Sequence, residues 1–243
     1  MKKSCLILLV AAFVFVVMSG FGSAAPCGGV VACSCNDTLS SSRTLNASDN
    51  ITGCTGSGAG LTINASNVVL DCAAYSINGT LNGTGIMVTG LENITIKNCT
   101  IGKFLVGVNF TGVNGSTLSK NIITNNTFGG VLLRGSLNNV ISGGEFGWNN
   151  QGSGFGLGGV IITSGSNGNN ITGGVYMHNN KNSAVEITIS SNSTIIDGNN
   201  INTKILGKSK KVLLNKKELR LILLDNPMGQ NDEMTPFIVI RKV

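Results

Sequence analysis

A repeated phrase constrains this chain more than any other feature. Between Asn67 and Asn202, an Asn or Ser is followed by a short β-branched run and then by Asn or Gly. Three of the copies are Asn67-Val-Val-Leu-Asp-Cys72, Asn93-Ile-Thr-Ile-Lys-Asn98 and Ser193-Thr-Ile-Ile-Asp-Gly198. A fixed period of this kind indicates stacked units rather than one irregular core.

The spacing of the later copies is nearly constant. The steps are 23 residues from Lys97 to Lys120, 22 from Leu118 to Val140, and 23 from Ile171 to Thr194. Only the step from Val140 to Ile171 is longer, at 31 residues. The excess lies in the glycine-rich stretch 152–159, which we interpret as a loop extruded from one unit.

Within each unit the apolar residues alternate, as in Ile94-Thr-Ile96, and alternation with period two indicates strands with one face turned inward. Hydrophobic residues make up 42% of the chain but aromatic ones only 5%, so the apolar content is mostly aliphatic and typical of β-structure. We therefore predict an all-β fold. Within that class we expect a parallel β-helix, a single solenoid of about six to seven rungs between Leu61 and Ile205.

Paired asparagines recur where the chain must turn, because Asn tolerates the left-handed backbone conformation and bonds to its own backbone. Equivalent amides on successive rungs can also stack into a hydrogen-bonded ladder. The pairs predicted to lie at or near corners are Asn125-Asn126, Asn149-Asn150, Asn179-Asn180 and Asn199-Asn200. We interpret them as structural turns rather than as ligand-binding groups.

The phrase also carries a resemblance. Val-Val-Leu-Asp-Cys72 followed by Asn93-Ile-Thr-Ile-Lys-Asn-Cys99 resembles the right-handed parallel β-helix repeat family of exported and cell-surface proteins. That family includes β-helix proteins of copper maturation and, more distantly, pectate lyases and polygalacturonases. The cysteine-rich N-terminal segment is similar to archaeal-type surface proteins. The resemblance implies a fold and leaves the activity open, since this chain has Ala74-Tyr75 where such proteins often carry Gly-His.

The N-terminus has the pattern of a secretory signal peptide: Lys2 and Lys3, an apolar run from Leu6 to Met18, and small residues before Pro26. We therefore predict a secreted or cell-surface protein, with no transmembrane helix in the mature chain. The predicted divisions are a signal peptide over 1–25, a cysteine-rich cap with the first strand over 26–66, the β-helix over 67–203, and a basic C-terminal cap or tail, native or truncated, over 204–243. In the tail, Lys216 to Leu224 suggests a short amphipathic helix, and Phe237 to Ile240 a last strand.

Six cysteines remain after the signal peptide, and in an exported chain an even number indicates disulfides, with the pairing left open. The candidates are Cys27, Cys33, Cys35, Cys54, Cys72 and Cys99. A metal site on Cys33 and Cys35 is the alternative, but the spacing is short and the only histidine, His178, is remote in sequence. We predict no metal and no cofactor.

The net charge of +6 does not describe the body of the protein. Residues 26–202 carry six basic and seven acidic side chains, whereas 203–243 carry nine basic and four acidic ones. With no basic stripe on the repeats, nucleic acid is not an expected partner.

The repeats are also poor in catalytic groups, and we assign no catalytic residue. Glycosidases need an acid and a base on two carboxyl groups, and the seven acidic residues of the body, Glu145 among them, form no local pair. His178, at a predicted corner, is interpreted as a surface side chain.

Thirteen Asn-x-Ser/Thr sequons are present, and the Asn-rich turns of a β-helix generate many of them. We predict that exposed sites carry glycans. The glycosylation candidates are Asn46, Asn50, Asn78, Asn82, Asn109, Asn114, Asn125, Asn170 and Asn192.

Six aromatic residues lie in the central repeats: Phe104, Phe110, Phe128, Phe146, Trp148 and Phe155. We expect at least half of them in the core, and Trp148, beside Asn149-Asn150, as the surface platform for a glycan. The sequence thus favours a non-catalytic β-helix protein, an envelope component or a module that binds polysaccharide or another partner. The alternative is a lyase or hydrolase acting on acidic polysaccharide.

Overall fold

The computed structural model describes residues 25–150, 158–172, 176–178, 180, 185–187, 194–197, 202–206, 211–215, 220–224 and 237–241. The predicted signal peptide before residue 25, residues 152–157 of the glycine-rich stretch, Asn179 and the Asn199-Asn200 corner lie outside the described residues. The last two residues of the stretch predicted as a loop, Gly158 and Gly159, instead begin a strand.

The regular secondary structure of the described residues consists of strands. The first eleven are β1 (Pro26–Cys27), β2 (Asp37–Leu39), β3 (Arg43–Thr44), β4 (Ala59–Ile63), β5 (Val69–Asp71), β6 (Ser76–Asn78), β7 (Thr84–Thr89), β8 (Thr95–Lys97), β9 (Thr100–Gly102), β10 (Val106–Thr111) and β11 (Thr117–Thr124). The next eleven are β12 (Gly129–Arg134), β13 (Val140–Gly147), β14 (Gly158–Thr163), β15 (Asn170–Thr172), β16 (Tyr176–His178), β17 (Val185–Ile187), β18 (Thr194–Asp197), β19 (Asn202–Leu206), β20 (Lys211–Asn215), β21 (Arg220–Leu224) and β22 (Phe237–Arg241).

These strands coil into a parallel β-helix, which confirms the predicted fold. One sheet contains ten described strands in the order β1-β2-β4-β7-β10-β12-β14-β17-β19-β21. The other follows the order β3-β5-β8-β11-β13-β15-β18-β20-β22. Seven strands of the first sheet lie between Leu61 and Ile205, and β4, β7, β10, β12 and β14 make about five turns in the part described almost without gaps.

A bend divides the second sheet into two faces. Asn98, Lys120 and Gly143 adopt positive φ angles of 55°, 53° and 59° at equivalent places. Beyond the bend, β6, β9, the ends of β11 and β13, and β16 form what we name the third face. The first sheet is the first face, and the strands before the bend form the second.

The core consists of aliphatic columns, one residue per rung. In the first face, the column Leu61, Ile86, Val108, Val131, Val160 and Val185 is fully buried. In the third face, Ile77, Ile101 and Ile123 stack beneath Phe146. Burial of each such side chain contributes about 1.5–3 kcal/mol, so the alternation read from the sequence is the main source of stability.

The register differs slightly from the one inferred by matching phrases. Lys97 pairs with Ser119 rather than Lys120, and Leu118 pairs with Ile141 rather than Val140. Likewise Ile171 pairs with Ile196 rather than Thr194. Those matches were wrong because pairing is set by which side chains face the core. Lys120 lies in the left-handed bend, one residue after Ser119, the residue that pairs with Lys97.

Buried polar side chains form the corner ladders that the paired asparagines predicted. In one ladder, the Asn126 backbone N–H donates to Asn149 Oδ1, and the Asn149 backbone N–H donates to Asn180 Oδ1. At another corner, Ser116 N–H donates to Asn139 Oδ1 and Asn139 N–H to Asn169 Oδ1. Each side chain thus satisfies the backbone of the preceding rung, whose turn would otherwise leave buried groups unpaired.

A glycine column occupies the second position of four neighbouring first-face strands, β4, β7, β10 and β12: Gly60, Gly85, Gly107 and Gly130. A Cβ atom on Gly107 would lie 2.6 Å from the carbonyl oxygen of Gly130 and 2.5 Å from Ile123 Cγ2. The next rung therefore approaches too closely for any side chain here, which gives these glycines a packing role.

All six predicted cysteines form disulfides. Cys27 pairs with Cys33, Cys35 with Cys54, and Cys72 with Cys99. Because Cys33 and Cys35 are both bonded, the alternative metal site on these two thiols is wrong. The third disulfide is buried and joins adjacent rungs next to the bend.

The N-terminal cap is also held by a buried ion pair. Arg43 Nη2 lies 2.8 Å from Asp49 Oδ2, with the two side chains 4% and 1% exposed. Arg43 Nη1 donates to the carbonyl oxygen of Gly29, and Asp49 Oδ1 accepts from the Cys33 N–H. The pair therefore ties the first disulfide loop to the turn at 46–49.

At the other end, the short helix suggested for Lys216 to Leu224 is wrong over Arg220–Leu224. Those residues form β21, which pairs in parallel with β19. The run Arg-Leu-Ile-Leu-Leu is compatible with a buried helix turn as well as with a strand. Pairing with the preceding rung selects the strand. The last strand, predicted over Phe237 to Ile240, is confirmed as β22.

Candidate glycan-binding face

Trp148 lies at the corner that follows β13, where the third face ends. Its backbone is left-handed, with φ of 54°, and its side chain is 47% exposed. The next two residues, Asn149 and Asn150, are fully buried. The chain therefore turns its amides inward and leaves the indole on the surface, where the sequence pattern placed it.

Two more exposed side chains occupy the same corner on the preceding rungs. Lys103 and Asn125 have φ angles of 61° and 59°, matching Trp148. The strand register aligns Gly102, Thr124 and Gly147, the residues that precede these three. We call Lys103, Asn125 and Trp148 the corner column. Its members follow one another at the strand spacing of about 4.8 Å.

The third face brings together residues that are distant in the sequence. Glu145, which is half-buried, pairs through its backbone with Tyr176, and Gly147 pairs with His178. Sequence reasoning treated Glu145 and His178 as isolated. Their proximity could have been inferred from the 31-residue step of the long rung, because residues one period apart become neighbours in a parallel β-helix.

The carboxylate of Asp71 is engaged in structural contacts. Asp71 accepts from Asn98 Nδ2 at 3.0 Å and from the Ala73 N–H at 2.9 Å, and it lies 3.2 Å from Lys97 Nζ. The Asn98 bond, followed by the Ala73 bond and Lys97, lowers the pKa of Asp71 below its ordinary value. A carboxylate held ionised in this way is unsuited to act as a general acid at neutral pH.

The described residues contain no group of three or more His, Cys, Asp or Glu side chains arranged to hold a metal ion. Within the same residues, no helix is long and apolar enough to cross a membrane.

The aromatic residues divide as expected between core and surface. Phe104, Phe110 and Phe146 are fully buried, and Phe128 is half-buried. Phe155 lies outside the described residues. Trp148 is thus the exposed aromatic side chain among the described members of this group.

The glycosylation candidates differ in exposure. Asn46, Asn50, Asn82, Asn114 and Asn125 are exposed, whereas Asn78, Asn109 and Asn170 are half-buried. Asn192 lies outside the described residues. Whether any of them carries a glycan stays a prediction.

Comparison with solved structures gives one match. Full-length tailspike protein 2 from the Escherichia coli O157:H7 bacteriophage CAB120 superposes with a TM-score of 0.51 at 17% sequence identity. The match covers 84% of this chain and 33% of the tailspike chain, so this chain spans about a third of the tailspike's length. No protein-family model and no curated protein matches the chain. At this identity the similarity shows the fold alone.

Proposed function

We propose that this is a secreted or cell-surface, non-catalytic β-helix protein that binds an extended glycan along the corner column. One observation carries the proposal: exposed Trp148 stands in register with exposed Asn125 and Lys103 on consecutive rungs. The glycan would be a free polysaccharide or part of the cell envelope. The tailspike similarity supports the fold on which such a surface is built.

The chemistry of the column suits a sugar chain. An indole face offers an apolar platform with a polar edge, which fits the C–H face of a sugar ring. The Asn125 amide can donate and accept, and the Lys103 ammonium has three donors for hydroxyl groups. Because a polysaccharide is extended, a column that presents one exposed side chain per rung can contact successive parts of the sugar chain.

The rigidity of the corner favours binding. Directly behind the column, Asn126 and Asn149 are fully buried and bonded to each other. The corner backbone is therefore fixed before any ligand arrives, which lowers the ordering cost of association.

An extracellular location fits the covalent structure. Three disulfides are consistent with a protein that folds in an oxidising compartment. Secretion itself stays a prediction from the signal-peptide pattern.

The binding proposal is tested with a glycan array probed with the purified chain, its Trp148→Ala variant and a Tyr75→Ala control. Tyr75 is also an exposed aromatic, 41% accessible, but it lies on the loop between β5 and β6. We expect Trp148→Ala to weaken binding at least tenfold, in line with the loss of about 1.4 kcal/mol, and Tyr75→Ala to leave it unchanged. Equal binding by all three proteins, or no binding by any, would reject the proposal.

A second candidate function is cleavage of an acidic polysaccharide. It is favoured by the backbone register, in which Glu145 pairs with Tyr176, and Gly147, two positions further along β13, pairs with His178. A carboxyl group and an imidazole are the side chains most often used for acid and base roles. Release of unsaturated uronides or new reducing ends, lost in Glu145→Gln, would favour cleavage. Binding without product would favour the first proposal.

A further inference from the structure

The N-terminal cap contains a loop with two neighbouring candidate sites for N-glycosylation. Asn46-Ala-Ser48 and Asn50-Ile-Thr52 are neighbouring sequons on the segment that follows β3. In both, the asparagine and the hydroxyl residue two positions later are exposed. A transferase must reach both side chains, so this double exposure is the first requirement for modification of a folded chain.

The other described sequons fail this requirement. Their hydroxyl residue, their asparagine or both are at least partly buried. For example, Ser116, which serves Asn114, is 1% exposed and donates to the Asn114 carbonyl oxygen inside the corner. The described sequons that fail begin at Asn36, Asn64, Asn78, Asn82, Asn93, Asn98, Asn109, Asn114, Asn125 and Asn170.

Hydrogen bonding within the two cap sequons uses the carboxamide oxygen and not the reactive nitrogen. Ser48 Oγ donates to Asn46 Oδ1 at 2.6 Å, and Thr52 Oγ1 donates to Asn50 Oδ1 at 2.8 Å. In both cases the hydroxyl donates to the carboxamide oxygen Oδ1 and makes no hydrogen bond with the amide nitrogen Nδ2. By contrast, Asn93 and Asn98 use Nδ2 in bonds to Asn67 Oδ1 and Asp71 Oδ1.

The loop is also held in place by its own core contact. Asp49, between the two sequons, accepts from the Asn46 N–H at 2.8 Å and forms the buried pair with Arg43. The Asn50 N–H donates to the Cys33 carbonyl oxygen. The sequons therefore stand on a fixed support, with their side chains in solvent.

From this geometry we infer that Asn46 and Asn50 are N-glycosylated on the folded protein, and that the ten other described sequons, which we call the stack sequons, are not. The donor is a lipid-linked oligosaccharide. A bond forms between Nδ2 and the sugar C1 while the bond from C1 to the lipid phosphate oxygen breaks. The lipid phosphate leaves with the electron pair, and one amide proton is lost.

The position of the cap keeps such glycans away from the corner column. The loop follows β3, and Trp148 follows β13, which lies four strands further along the second sheet. At about 4.8 Å per strand this is roughly 19 Å along the axis. Glycans on the cap would cover the N-terminal end of the stack without blocking Trp148.

The test uses the folded, unglycosylated chain incubated with a purified oligosaccharyltransferase and a lipid-linked oligosaccharide, followed by glycopeptide mass spectrometry. A short sequon peptide in the same reaction establishes that the enzyme is active. We expect occupancy at Asn46 and Asn50 at least tenfold above that at any described stack sequon. Reduced and unfolded chain should gain glycans at stack sequons as well.

Matched variants separate the two sites. Ser48→Ala should abolish the Asn46 glycopeptide and leave Asn50 modified, and Thr52→Ala should do the reverse. Thr80→Ala, which removes the sequon at half-buried Asn78, should change neither. Unmodified Asn46 and Asn50 beside a modified peptide, or stack sequons filled to the same level on folded chain, would overturn the inference.

Discussion

Asn126 Nδ2 donates to Asn149 Oδ1 at 3.0 Å, and both side chains are completely buried. The two residues belong to consecutive rungs, and the contact continues through the Asn149 N–H to Asn180 Oδ1. A buried amide is costly unless its donors and acceptor are satisfied. In the ladder, the side-chain oxygen of each Asn accepts hydrogen bonds from the Asn of the preceding rung.

Replacing Asn149 with alanine should therefore destabilise the protein strongly. The change removes the acceptor for two donors of Asn126 and the donor to the Ile123 carbonyl oxygen. Each buried group left unpaired costs about 1–3 kcal/mol, so we expect a loss of at least about 2 kcal/mol in the free energy of unfolding. Denaturant unfolding measures it, with Asn64→Ala at an exposed asparagine as the control. Similar midpoints for both variants would contradict a stabilising ladder.

The Arg43–Asp49 pair predicts a pH dependence of stability. Burial by itself raises the pKa of Asp49, but hydrogen bonds from Arg43 and from the N–H groups of Cys33 and Asn46, with the charge of Arg43, outweigh it and lower the pKa. A folded-state pKa below the unfolded value of about 3.9 stabilises the fold above that pH. This contribution is lost as the pH falls through the folded-state pKa.

Thermal unfolding of the wild-type chain and of Asp49→Asn between pH 7 and pH 2 measures this effect. At pH 7, Asp49→Asn should cost about 3 kcal/mol, because it leaves a buried guanidinium without its partner. The difference from wild type should shrink at low pH. Asp71→Asn, at an ion pair whose lysine is 39% exposed, should cost less than about 1 kcal/mol. A pH-independent difference for Asp49→Asn would be evidence against the pair.

The three disulfides should differ in their contribution. The sequence separations are 27 residues for Cys72–Cys99, 19 for Cys35–Cys54 and 6 for Cys27–Cys33. Loop-closure entropy gives about 3.5 kcal/mol for the longest and about 2 kcal/mol for the shortest. Paired Cys→Ala variants should lose stability in that order under chemical denaturation. The reverse order would show that native packing, rather than the unfolded chain, sets the difference.

Burial also predicts the order of reduction. Cys72 and Cys99 are 0% and 1% exposed, whereas Cys35 is half-buried. Under native conditions a thiol reductant should open Cys35–Cys54 before Cys72–Cys99, as followed by alkylation and mass spectrometry. Opening of Cys72–Cys99 first would mean that its rungs separate more readily than the cap.

The glycine column predicts a large effect from one methyl group. Gly107→Ala would place a Cβ against Gly130 O and Ile123 Cγ2 at 2.6 and 2.5 Å. Overpacking of this kind typically costs 1–3 kcal/mol, so we expect the melting temperature to fall by several degrees. Ser119→Ala, at a half-buried position, is the control. An unchanged melting temperature would show that adjacent rungs can shift apart.

Most of the fold could be predicted from the sequence because the same local interactions recur in every copy of the repeat. Alternating Ile94 and Ile96 indicate a strand, and the recurrence of the phrase indicates that strands pair with their own copies. The register was less accessible. Ser119 and Lys120 both resemble Lys97 in position, and only the bend at Lys120 decides between them.

The candidate site depended more on tertiary structure. The surface position of Trp148 followed from its neighbours Asn149 and Asn150, which turn inward at a corner. Its alignment with Lys103 and Asn125 did not follow, because these residues belong to different rungs and share no motif. The same holds for Glu145 and Tyr176, which coiling brings together.

The sequence by itself determined the parallel β-helix, the cysteines that cross-link its beginning and the asparagines of its corners. Period, alternation and turn chemistry are local properties, and each is repeated often enough to be read without a structure. The tertiary structure alone decided which cysteines pair, which sequons reach solvent and which side chains share a face. Those outcomes depend on the phase of each rung relative to the next, and packing of the core fixes that phase.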